Sequence, residues 1–172
     1  MAEHSGTRAP LVVIMGVSAV GKTTVGERLA ARYGVEYADA DAFHPQANID
    51  KMSAGVPLSD DDRWPWLEAI GRWLHERRDT GGVVSCSALK RAYRDVLVEA
   101  APALCFLHLD GDPEMIRERI ARRKDHFMPP SLVDSQLATL EPLEPDECGV
   151  AIDLTKRPDE IIEEFCRYAK LR

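Results

Sequence analysis

The residues with the most defined chemistry in this chain fall together at Gly16-Val17-Ser18-Ala19-Val20-Gly21-Lys22-Thr23, a match to GxxxxGK[ST] followed by a second threonine, Thr24. Glycines at both ends let the backbone curl with its N–H groups inward, and at the start of a helix such a loop is a nest for phosphate. Gly16, Ser18, Val20, Gly21, Lys22, Thr23 and Thr24 are therefore the candidate nucleotide-binding residues. Lys22 can reach the outer phosphates, and the Thr23 hydroxyl can ligate Mg²⁺. The pattern carries meaning only between a buried strand and a helix. Both are present: Leu11–Met15 is a continuous apolar run, and Val25, Leu29 and Tyr33 recur every four positions until Gly34.

A second set of groups suits the acceptor of a phosphoryl group. Asp39 and Asp41 stand two apart at the end of a short β-rich run, so they share one side of a strand whose carboxyl end faces the ligand crevice of a parallel sheet. A kinase acting on an alcohol needs one group to orient or deprotonate that alcohol and another to hold metal-bound water. Asp41 is assigned to the hydroxyl and Asp39, through water, to the metal beside Thr23; residue type alone leaves the two exchangeable. Arg63, Lys90 and Arg94 fall at helix starts or first turns, with Lys90 and Arg94 four apart on one helix. With Asp41 and His44 they form a mixed polar set for an anionic polyhydroxy substrate: cations for a carboxylate, carboxylate and imidazole for hydroxyls. Further on, Arg117, Arg119, Arg122, Arg123 and Lys124 crowd a helix ahead of His126. Arg119 and Arg123 share a face and are the candidates to meet the transferring group.

These groups must be positioned by the elements between them. Strand-like runs at Leu11–Met15, Val35–Ala38, Val83–Cys86, Leu104–Leu109 and Val150–Leu154 alternate with helical patterns, and Asp112-Pro113 reads as a helix start. Such alternation predicts a three-layer α/β domain with a five-stranded parallel sheet. One domain is expected over residues 1–172: a loose tail at 1–10, a loop-rich acceptor-binding region at about 42–65, and a lid at about 119–142. Trp66, Ile70 and Trp73 follow helical spacing and read as core; Trp64 is placed at the wall of the acceptor pocket.

Composition narrows the class. The 172 residues are 45% hydrophobic and 30% charged, enough for a packed core, which excludes disorder over most of the chain. With 22 Lys and Arg against 29 Asp and Glu, the net charge of −7 is the wrong sign for a phosphate-tracking nucleic-acid binder. No apolar run approaches the ~20 residues that span a bilayer, so no membrane partner is expected. Four well-separated cysteines without a CxxC pair fit a reducing, cytoplasmic setting. A GTPase would need an NKxD-type segment, which is absent. A motor or transport ATPase usually carries a strand ending in an Asp directed at Mg²⁺, but the third strand here ends in Ser85-Cys86-Ser87. Size and the Asp39–Asp41 pair point to small-molecule kinases of the nucleoside-monophosphate-kinase type.

Within that type, the blocks Asp39-Ala40-Asp41-Ala42-Phe43-His44-Pro45-Gln46-Ala47-Asn48, Lys51-Met52, Gly55, Pro57-Leu58, Asp60 and Asp62-Arg63-Trp64-Pro65-Trp66-Leu67 resemble the gluconokinase family. So do Cys86-Ser87-Ala88-Leu89-Lys90, Tyr93-Arg94-Asp95, His126-Phe127-Met128, Ser135-Gln136 and Leu140-Glu141-Pro142. The resemblance implies ATP-dependent phosphorylation of D-gluconate at its 6-hydroxyl, Mg²⁺ dependence, a P-loop kinase fold with a lid, and commonly a homodimer. It also adds Gln136 to the substrate-binding set and marks Lys22, Asp41, Arg119 and Arg123 as catalytic. Ala19 and Asp125 depart from the family's usual glycines. Two other readings remain: a related small-acid kinase such as a shikimate kinase, whose glycine-rich segment after the third strand is missing here, and a non-catalytic nucleotide-binding regulator.

Overall fold

Each strand of the structure is followed by one or more helices. The computed structural model describes residues 9–122 and 130–171. In chain order the elements are β1 (Leu11–Met15), α1 (Lys22–Tyr33), β2 (Glu36–Asp39), a 3-10 turn (Ala40–Phe43), α2 (Gln46–Ser53) and α3 (Asp60–Glu76). They continue with β3 (Gly82–Ser85), α4 (Arg91–Ala100), β4 (Cys105–Asp110), α5 (Pro113–Ala121), α6 (Pro130–Thr139), β5 (Gly149–Asp153) and α7 (Pro158–Lys170). The five strands form one parallel sheet in the order β2-β3-β1-β4-β5.

β1 is apolar throughout because both of its faces are covered. Leu11, Val13 and Met15 pack with Trp66, Leu67, Ile70 and Leu74 of α3 and Tyr93 and Leu97 of α4. Val12 and Ile14 point the other way, toward Val25 and Leu29 of α1, Ile116 of α5, Val133 of α6 and Phe165 of α7. The loop that leaves β1 therefore emerges between two packed cores, on a base that cannot shift cheaply.

Several boundaries differ from expectation for local reasons. Gly34 closes α1 in the left-handed conformation, and the Val35 N–H is spent on the Ala30 carbonyl at 3.0 Å, so β2 begins at Glu36. α3 starts at Asp60, ahead of Pro65, because Ser59 and Asp62 form a reciprocal capping box. Exposed Pro65 removes only the bond to the carbonyl of exposed Asp61. α4 starts at Arg91, and Ala88 sits at φ +44° before the helix. The expected loose tail ends sooner than residue 10, since the Pro10 carbonyl accepts the Gly82 N–H at 2.9 Å; residues 1–8 lie outside the described residues. Finally, β2 does not neighbour β1: β3 stands between them.

Candidate active site

The glycine loop has the geometry of an anion nest. Gly16 has φ +145°, and a Cβ there would lie 2.9 Å from the Leu109 carbonyl oxygen. Gly21, at φ +99°, precedes α1, while Ala19 takes φ +64° despite its Cβ. The Lys22 ammonium folds into the loop and donates to the carbonyls of Gly16 and Val17 at 2.8 and 2.9 Å. Burial lowers its pKa to about 8, against the raising influence of Cys86, Asp41 and Asp39. A cation so enclosed, bonded among the described residues to carbonyl dipoles, gains from an arriving anion, so the residues present fit a triphosphate. Thr23 and Thr24 are exposed on the first turn of α1, whereas the Val20 side chain is buried and leaves only its backbone for a ligand. The turn is anchored from below: Tyr37 donates to the Ser85 hydroxyl at 2.9 Å, which donates to the Lys22 carbonyl at 3.0 Å.

Gln136, expected among the acceptor-binding residues, is placed on this loop instead. Its Oε1 accepts the Ser18 N–H at 2.7 Å and its Nε2 donates to the Ser18 hydroxyl at 2.9 Å, because α6 packs against the glycine loop rather than over α3. Arg117 of α5 pairs with Asp134 of α6 at 2.8 Å, and Arg119 lies exposed on the last turn of α5. Arg123, with Lys124, Asp125 and His126, lies outside the described residues.

On the acceptor side, Asp39 ends β2 opposite Ser85 and its carboxylate accepts the Asp41 N–H at 2.9 Å. Asp41 is near enough to raise the pKa of both Lys22 and His44. The His44 ring lies flat on Trp66, centroids 4.4 Å apart and planes 8° apart, and Trp66 is fixed by donating to the Ala40 carbonyl at 2.7 Å. Burial lowers the pKa of His44; Asp41 opposes this and Arg63 adds to it. Arg63 and Lys90 converge on the Tyr93 ring, 5.3 and 5.6 Å from its centroid, and on Asp60 at 3.7 and 3.4 Å. The Tyr93 hydroxyl bonds to Asp60 and accepts from Arg63 at 3.0 Å; that bond and the two cations hold the Asp60 carboxyl below its usual range. Trp64 packs edge-on against Tyr93, at the rim of this cluster.

Arg94 does not join them. Its side chain is wholly buried and forms an ion pair with Glu147 at 2.6 Å. Its remaining N–H groups go to the carbonyls of Ala88 and Glu141 at 3.0 Å, with longer contacts to Leu89 and Pro142. No donor remains for a substrate carboxylate, which corrects its assignment to the clamp. Tyr93 and Asp60, which organise the two remaining cations, carry no signal in the sequence beyond membership of the matching blocks. Nor does His108, a buried imidazole within β4 whose pKa burial depresses.

A phosphate nest at one end and a cation pair at the other, joined by Asp41 and His44, is the arrangement that the comparisons bear on. The domain family described as "AAA domain" matches residues 11–143. Gluconokinase of Gluconobacter oxydans is 44% identical over 173 residues, covering 98% of this chain and 97% of that protein. A gluconokinase crystal structure from Sinorhizobium meliloti superposes with a TM-score of 0.86 at 48% identity, covering 94% of this chain and 91% of that one. The chain belongs to the gluconokinase family. Shikimate kinase of Aquifex aeolicus, at 15% identity and a TM-score of 0.58 over 92% of this chain and 95% of that one, shares the fold alone. The gluconokinase likeness runs through the glycine loop, α2, α3 and α4, the elements that carry both ends of the site.

Proposed function

We propose that this kinase of the gluconokinase family transfers the γ-phosphoryl group of ATP to the 6-hydroxyl of D-gluconate, giving 6-phospho-D-gluconate. The observation that carries the reading is a line of groups: the Lys22 ammonium in the glycine loop, Asp41 and His44 after β2, then Arg63 and Lys90 on the Tyr93 ring and Asp60. An extended six-carbon acid laid along it presents its hydroxyl to Asp41 and its carboxylate to the two cations. Asp41 orients or deprotonates the hydroxyl, His44 contacts the chain, and Lys22 stabilises charge on the transferring group together with Arg119 and Arg123. The exposed Thr23 hydroxyl, with Asp39 through water, fits Mg²⁺. When bound with the nucleotide, that ion neutralises the phosphate oxygens.

The region at about 119–142 is read as a lid; support comes from α6, whose Gln136 reaches the Ser18 amide. A homodimer rests on the family resemblance, and sedimentation velocity tests it. Cytoplasmic residence agrees with four cysteines that form no disulfide. Among the described residues no helix is long and apolar enough to cross a membrane.

ADP release measured with MgATP and gluconate, sorbitol or shikimate tests the function. Turnover is expected with gluconate and to be far weaker with neutral sorbitol. Preference for shikimate, or ATP hydrolysis indifferent to every acceptor, overturns it.

A further inference from the structure

Asn48 is among the few polar side chains buried in the described residues, and it stands behind His44. Its Nδ2 lies 2.9 Å from the Asp62 carbonyl oxygen and 3.2 Å from His44 Nδ1. A carbonyl only accepts, so the amide must turn its NH₂ toward Asp62; the flipped amide would oppose two oxygens. The same NH₂ then offers its second hydrogen to His44, whose Nδ1 must carry a lone pair. An imidazole with a lone pair on Nδ1 is neutral and holds its proton on Nε2.

We propose that Asn48 is a positioning residue that fixes the Nε2–H tautomer of His44, so that this ring meets the acceptor as a neutral hydrogen-bond donor and takes no proton from it. The contact with the acceptor rests on the function proposed above; the tautomer does not.

Every part of this device is tied down. The Asn48 N–H donates to the Pro45 carbonyl at 2.9 Å, which starts α2. Asp62 is locked by the capping box of α3, and its carboxylate takes Lys51 at 2.7 Å, so its carbonyl cannot drift from Asn48. Trp66 supports the face of the imidazole. The charged groups that face the ring are Asp41 from the 3-10 turn, which favours protonation, and Arg63 from α3, which opposes it; burial decides for the neutral form. An N–H aimed from Nε2 discriminates by requiring an acceptor oxygen. Nδ1 is occupied and Nε2 already protonated, so the base role falls to Asp41 alone.

The decisive measurement is ¹⁵N NMR of histidine-labelled wild-type protein, with the His44 signals assigned by loss in His44→Gln. At pH 7.5 the expected pattern is a pyridine-type Nδ1 and a pyrrole-type Nε2. A proton on Nδ1, or a charged ring, overturns the proposal. In Asn48→Asp the new carboxylate can only accept, so the Nδ1 proton should appear and the His44 pKa should rise by about one unit or more; an unchanged tautomer and pKa in that variant also overturn it. In kinetics, His44→Gln can still donate from near Nε2, so it should raise KM for gluconate and lower kcat by less than the roughly 10²-fold that loss of a general base costs. A loss of that size would return the base role to His44. If the wild-type tautomer is as stated but gluconate is no substrate, the proposed function fails and the positioning role of Asn48 stands.

Discussion

Arg94→Ala separates a structural cation from a substrate-binding one. In the wild type the guanidinium is wholly buried and Glu147 is 5% exposed at its side chain, with the second Glu147 oxygen held by the Glu144 N–H at 2.8 Å. Removing Arg94 leaves that carboxylate only the more distant Arg91, at 3.8 Å, as a cation and strips hydrogen bonds from the carbonyls of Ala88 and Glu141. Breaking one side of a buried pair costs about 3–5 kcal/mol. At roughly 2–4 °C per kcal/mol for a chain of this size, the melting temperature should fall by about 6–20 °C. Thermal unfolding followed by circular dichroism reads this directly. The double variant Arg94→Met/Glu147→Leu, which leaves no uncompensated charge, should recover most of the loss. Arg94→Lys should recover little, because one ammonium cannot replace a fork that bonds a carboxylate and several carbonyls at once. Should Arg94→Ala melt within about 2 °C of wild type while KM for gluconate rises, the guanidinium serves the substrate after all.

Four further outcomes are expected. Lys22→Met should stay folded and lose roughly 10²-fold or more in turnover, since its charge acts chiefly in the transition state; coupled ADP release against a melting curve checks it. Asp41→Asn keeps size but loses charge, so kcat should drop with a modest change in KM, read from saturation curves in gluconate. Lys90→Ala should raise KM for gluconate about 10–100-fold, the worth of a charge-assisted bond, and change sorbitol phosphorylation much less. Ala19→Gly relieves a side chain at φ +64° and should raise unfolding stability by up to about 1 kcal/mol in urea titrations.

The phosphate loop was legible because its chemistry and its periodicity coincide: a glycine pattern, an apolar run before it and a four-residue repeat after it. Asp39 was legible as the end of a strand, but Asp41 lies in the 3-10 turn that follows β2, so the alternation expected to set both on one side of a strand does not reach it. Arg94 was not. Its spacing from Lys90 suggested a shared helical face, yet Lys90 is the residue before α4, with φ −104° and ψ 147°, so helical phase does not apply to it. The partners that claim Arg94 come from residues 141, 142 and 147, about fifty positions along, and no local pattern encodes them. The early start of α3 was obscured by Pro65, a breaker in the abstract but tolerable near a capped helix start. Strand order was equally hidden, since chain order does not say that β3 inserts between β1 and β2.

That inserted strand gives the protein a division of labour. The glycine loop and α1 pack on one face of the sheet, while the cation pair and its tyrosine come from α3 and the start of α4 on the other. The two ends of the candidate site thus rest on different hydrophobic layers, which meet across the sheet. The core side chains of α3 and α4 belong to a different layer from those of the glycine loop and α1. Acceptor preference on this scaffold can therefore be rewritten one layer at a time, with the phosphoryl-transfer apparatus inherited whole.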